Sequence, residues 1–183
     1  MGREPLKTIT FDEERREYNC HIFPIGIDVC HEYEELKSFY DLWNDIRGNR
    51  RLPNVQDITF ETLKGWHSSV RLVEYGEDIK GPKTIKIMGE KFARLWGKES
   101  MYSKINSENP PPPDIVEKYY EYLQVIYDYN YCIGVGNVID EEGQEQRILW
   151  IDLPLSSGDD NVTHAIGAMV MLEQDSPKLK AIA

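Results

Sequence analysis

Histidine and cysteine are scarce in this chain, with four and three residues among 183. An odd cysteine count without the spacing of a disulfide framework points to a reducing compartment, so a cytoplasmic protein is expected. Basic side chains are in deficit: 21 Lys and Arg stand against 32 Asp and Glu, a formal net charge of −11. Such a field repels phosphate backbones and anionic lipid, and no basic stripe interleaved with aromatics offsets it. Neither nucleic acid nor a membrane surface is therefore expected as a partner. Long apolar runs are missing too. The apolar stretches are too short and too interrupted to cross a bilayer, and the first seven residues lead into no apolar segment, so no secretory leader is expected.

Catalytic signatures are equally absent. The chain has no Gly-x-Ser-x-Gly elbow, no Gly-Lys-Ser/Thr loop and no His-Glu-x-x-His. Carboxylates are plentiful, yet no pair is fixed by the sequence into acid and base roles. The expectation is a non-enzyme, with an enzyme carrying an unrecognised site kept as an alternative.

What the chain does have is bulk for a core. Eleven tyrosines, four tryptophans and five phenylalanines lie in a length that suits one domain. Residues 33–47 place Leu36, Phe39, Tyr40, Trp43 and Ile46 at helical spacing, with Gly48 as a stop and Pro53 beyond it. Asp57 or Thr59 can cap a short helix to about residue 65. Residues 69–75 and 84–88 read as strands, 91–96 as a short helix, 106–113 as a proline-rich break and 114–127 as a helix. Residues 130–140, 146–155 and 162–172 read as a closing three-stranded meander. The expected fold is α+β: a five-stranded antiparallel sheet with helices on one face. The expected organisation is an N-terminal helical extension over 1–32, a domain over 33–173 and a tail over 174–183. The core is expected to be built by Leu36, Phe39, Trp43, Leu63, Trp66, Leu72, Ile151, Leu153 and Met169.

The order of elements resembles that of a PAS domain, and so does the local wording. Leu42-Trp43-Asn44-Asp45-Ile46-Arg47-Gly48, then Arg50-Arg51-Leu52-Pro53 and Asp57-Ile58, is similar to the opening of a bacterial PAS subfamily. There a helix ending in an Arg-Gly-Arg-like segment precedes a Pro-x-x-x-Asp-Ile signature. Leu153-Pro154-Leu155-Ser156, with Gly158 and Val162, resembles that family's closing turn and last strand. Val55, Phe60 and His67 depart from the pattern. The resemblance implies a stand-alone sensory module that binds a small ligand or a signalling protein and passes its state on in trans, as a homodimer. It names no cofactor. In such a scaffold the ligand lies between the inner sheet face and the short helices. The lining residues would be Phe92, Leu95, Trp96, Tyr119 and Leu123, facing Ile133, Val135 and Leu149, and a partner protein would dock on the outer sheet face. No basic cluster is expected to point inward, so a flat or greasy ligand is favoured over a phosphate-rich one.

Rival chemistries are few. Cys20-His21 and Cys30-His31 offer thiolates and imidazoles for a metal- or redox-responsive site, although adjacent side chains diverge and structural zinc pairs are usually spaced more widely. His67 and His164 are nominal axial ligands for a haem, but a packing or surface role suits each better. Gly134-x-Gly136 lies in an expected strand, so close packing or a bulge explains it better than a dinucleotide loop. The acidic turn at Asp140-Glu141-Glu142 lacks the spacing of a calcium loop.

Overall fold

The computed structural model describes residues 4–173, and the expected tail lies outside them. All seven strands form one antiparallel sheet. In chain order they are β1 (Lys7–Glu13), β2 (Arg16–Pro24), β3 (Val70–Glu74), β4 (Thr84–Met88), β5 (Asn130–Ile139), β6 (Glu145–Leu155) and β7 (His164–Met171). Their order across the sheet is β1-β2-β5-β6-β7-β3-β4. The helices are α1 (Glu34–Arg47), α2 (Glu90–Trp96), α3 (Met101–Ile105) and α4 (Pro113–Tyr127).

The expected strands β3 and β4 and the meander β5–β7 are present, and β7 joins the two groups by pairing with β3. The count of five is corrected to seven, because the N-terminal extension is a β-hairpin rather than helical. Its physical basis is a period-two pattern. Ile9 and Phe11 alternate with exposed Thr8 and Thr10, and Tyr18, Cys20 and Ile22 repeat the pattern on the returning strand. β2 then pairs with β5 along its length, from Arg16–Val138 to Pro24–Asn130. The short helix expected near 57–65 is also corrected. A 3-10 turn at Val55–Asp57 is followed by turns in which Thr59 and Thr62 bond each other locally, the competition with helix that such side chains offer.

Helices cover both sheet faces, not one. Side chains alternate along the strands, so Cys132, Gly134, Trp150 and Asp152 share one face while Tyr131, Ile133, Ile151 and Leu153 share the other. α4 lies on the first face, where its Tyr122 hydroxyl donates to Asp152 at 2.6 Å. α1 lies on the second, where Tyr40 meets Tyr131 with ring centroids 5.4 Å apart. Ile133, Ile151 and Leu153 are fully buried there, whereas Thr8 and Thr10 of the β1–β2 edge stay exposed on the same face.

The two segments that carry the family resemblance meet in space. Trp43 of α1 donates its indole N–H to the Pro154 carbonyl at 3.1 Å. Val55 N–H donates to Ser156 O at 2.8 Å and Ser156 N–H to Pro53 O at 3.0 Å, a short parallel bridge. Arg50 and Asp57 close the loop with an ion pair of 2.7 Å. Every expected core residue is buried except Trp66, which is half-buried against Phe39. Replacing Trp43 with Ala should cost about 3–5 kcal/mol, because it removes a buried ring from a packed core. Trp43→Phe, which keeps a ring but orphans the Pro154 carbonyl, should cost about 1–3 kcal/mol. Chemical denaturation of both variants checks the ranking, and near-native stability of Trp43→Ala would contradict this packing.

Candidate functional site

A cavity opens between the α4 face of the sheet and helices α2 to α4. Its volume is about 80 Å³, and its mouth is open to solvent. From the sheet come Tyr18 and Cys20 of β2, Arg71 and Val73 of β3, and Trp150 and Asp152 of β6. Trp96 closes one side, Met101 and Lys104 of α3 form the rim, and Tyr119 and Tyr122 of α4 form the roof.

Glycines make this floor possible. A β-carbon at Gly134 would overlap the Trp150 indole, so the ring lies flat across the sheet only because that side chain is missing. The Gly134-x-Gly136 pair is therefore close packing, as expected. Tyr18, Trp96 and Trp150 form a cluster with centroids 5.1–5.3 Å apart, and Phe11 stacks on Tyr18 at 4.7 Å. These tilted and edge-on contacts are the favoured aromatic geometries.

The polar part of the floor is a buried charge pair. Asp152 accepts from Tyr122 at 2.6 Å and from Arg71 Nη2 at 3.4 Å. Gly167 faces it on β7, where a β-carbon would collide with its carboxylate. Arg71 lies over the Phe92 ring at 4.9 Å, and its buried Nε has no hydrogen-bond partner among the described residues. Arg16 stacks over Trp96 at 4.5 Å. Lys83 points inward too, but its ammonium is used by three backbone carbonyls, those of Tyr75, Asp78 and Gly81. Four cationic side chains thus line the cavity: Arg16, Arg71, Lys83 and Lys104. The expectation that no basic cluster points inward is overturned.

Burial shifts the titrations of this shell. It pushes the tyrosines up, with nearby charge adding to it: Tyr18 lies beside Glu13, and Tyr75 and Tyr122 lie beside Asp152. Burial lowers Arg16 against the opposing pull of Glu13, and it lowers Lys104 with repulsion from Arg16 adding to it against Glu13 and Glu99.

Of the eight lining residues expected from the sequence, Trp96 and Tyr119 line this cavity. Phe92 is buried beneath Arg71, Leu95 faces a smaller cleft with Arg94 and Ile139, and Leu123 is fully buried in the core. Ile133, Val135 and Leu149 lie on the opposite sheet face, one residue out of phase with Gly134 and Trp150. Sequence reasoning missed Arg16, Arg71, Lys104, Tyr18, Tyr122, Trp150 and Asp152. The available signal was a lone charge within an apolar run: Arg71 after Val70 and before Leu72, and Asp152 between Ile151 and Leu153.

The Cys/His dyads do not converge. Cys20 faces the cavity beside Cys132, whose thiol is pushed up by burial and by Cys20. His21, on the opposite sheet face, bonds Thr8 at 3.0 Å. Cys30 is buried in the turn before α1, where burial and then Asp28 push its thiol up to about 12, and His31 pairs with Glu32 at 3.5 Å. No group of three possible metal ligands occurs among the described residues. His67 stacks on exposed Phe60 and His164 bonds Thr163, both outside the cavity lining. Among the described residues, no helix is long and apolar enough to cross a membrane.

No known family's sequence pattern matches the chain, and no curated protein matches it. A solved structure described as that of an RNA-binding light-oxygen-voltage receptor aligns with a TM-score of 0.42 and 15% identity. The alignment covers 71% of this chain, which spans 39% of that receptor's chain.

The raised tyrosines predict an alkaline limit to stability. A buried tyrosine whose folded pKa exceeds its unfolded value near 10 contributes fully below pH ~10, and that contribution is lost as pH rises toward the folded value. Stability should therefore fall above pH ~10. Tyrosinate absorbance should rise in two steps, the second coinciding with unfolding. Tyr122→Phe should weaken the second step, and titration of every tyrosine in the native state near pH 10 would contradict it.

Proposed function

We propose that this chain is a PAS-type sensory module that holds a small ligand between the α4 face of its sheet and helices α2 to α4, and signals through a partner in trans. The observation that carries the reading is the cavity itself. Aromatic walls from β2, β6, α2 and α4 surround a few fixed polar groups, which is how small-molecule sites are usually composed. The arrangement of the strands supports the PAS assignment. β3 and β4 precede the helices, the meander β5–β7 follows them, and β7 returns to pair with β3. The contact between the Pro53–Val55 stretch and Ser156 supports it as well, since it joins the two segments on which the resemblance was drawn. In this reading the N-terminal hairpin is part of the module, because Phe11, Arg16, Tyr18 and Cys20 contribute to the cavity wall.

The test is thermal stability of the purified protein against a metabolite panel. A ligand at one hundred times its Kd should stabilise the fold by about 2.7 kcal/mol. Gly134→Leu, which displaces the Trp150 indole and fills the floor, should abolish that shift. A panel without any stabiliser, together with a crystal structure in which side chains fill the space, would replace ligand sensing by protein docking.

A further inference from the structure

The charge of the cavity runs against the charge of the protein. The chain as a whole carries −11, yet the lining holds four cationic side chains and two carboxylates, Asp152 and Glu99. Asp152 is taken up by Arg71 and Tyr122, and Glu99 is exposed at the rim. Lys83 is satisfied by backbone carbonyls. That leaves Arg16 and Lys104, which make no side-chain hydrogen bond or ion pair among the described residues, together with the unpartnered Nε of Arg71. Glu13, which accepts from the Tyr18 hydroxyl at 3.0 Å, adds one further negative charge felt by Arg16 and Lys104, so the cations still outnumber the carboxylates around the cavity. Cations gathered beside aromatic rings, away from full solvation and short of counter-charge, form a receptor for an anion.

Resting on the cavity reading above, we infer that the ligand is a small aromatic monoanion, a flat ring bearing a carboxylate. The ring lies against Trp96 and Trp150, and the carboxylate faces Arg16, Arg71 and Lys104. The ring follows from the three-ring cluster at the floor. The single charge follows from Asp152, whose nearly buried carboxylate stands 3.4 Å from Arg71 and would repel a dianion at the same fork. A carboxylate matches the planar guanidinium of Arg16 or Arg71 better than it matches any neutral donor in the wall.

Amide spectra of the ¹⁵N-labelled protein give a direct test, because Trp96 and Trp150 line the cavity while Trp43 is buried on the other face. The probes are phenylacetate and 2-naphthoate, their neutral amides, succinate and inorganic phosphate. The carboxylates should move the indole N–H signals of Trp96 and Trp150 and leave that of Trp43 in place. Their amides should bind at least about tenfold more weakly, the loss of one charged contact. Arg16→Gln and Lys104→Gln keep both members of the Arg71–Asp152 pair, and each should weaken the carboxylates more than the amides. Amides binding as tightly as the acids would overturn the anion inference and leave the cavity reading standing. Succinate or phosphate binding better than the aromatic acids would overturn the ring. No shift with any probe would overturn the inference and the ligand-binding reading together.

Discussion

The pairing of Arg71 with Asp152 is the constraint around which this structure is arranged. Asp152 lies on the central strand β6 with its side chain only 4% exposed, and Arg71 lies on β3, next to the edge strand β4, with its side chain 17% exposed. Four elements are committed to holding it: β3 supplies Arg71, β6 supplies Asp152, β7 supplies the glycine that leaves room for the carboxylate, and α4 supplies the Tyr122 hydroxyl. Burial of two ions costs several kcal/mol each before their attraction is counted, and an apolar pair of similar volume is often as stable. Keeping this pair satisfied ties α4 to the sheet through the Tyr122 hydroxyl.

The N-terminal hairpin completes what the pair begins. A sheet ending at β5 would leave Gly134 and Trp150 at an open edge. β2 pairs along the whole of β5 and brings Tyr18 into contact with Trp150. β1 then adds Phe11 as a second stacked ring. The cavity wall and the sheet edge are therefore one construction. On the reverse face, α1 seals β6 from behind, and Trp43 holds the Pro154 carbonyl two residues beyond Asp152. One strand thus links the cavity floor to the helix that covers the opposite side.

Much of the fold was legible in the sequence. α1 and α4 announced themselves by apolar spacing, and β4 by its flanking glycines and methionine-ended run, because these elements bury one face or end at clear breaks. The hairpin was just as legible in principle, since Ile9 and Phe11 alternate with threonines, but the charge run over 12–17 and then Pro24 and Gly26 interrupt the period-two pattern. The site was not legible for a different reason. β5 and β6 are buried on both faces, so apolar residues fill consecutive positions and no alternation reveals which side chains face the cavity. Ile133, Val135 and Leu149 were one residue out of phase for that reason, while the polar members Arg71 and Asp152 stood in apolar strands where a charge is hard to justify by packing alone.

In the ligand-sensing proposal this buried charge serves the cavity and not the stability of the fold. The most direct measurement is the unfolding free energy of Arg71→Met, Asp152→Asn and the double variant that carries both. Each single change strands one buried partner and should cost about 3–5 kcal/mol. The double variant should recover most of that loss and unfold within about 1 kcal/mol of the wild type. A double variant as unstable as the sum of the two single variants would contradict it, and would make the pair a structural strut.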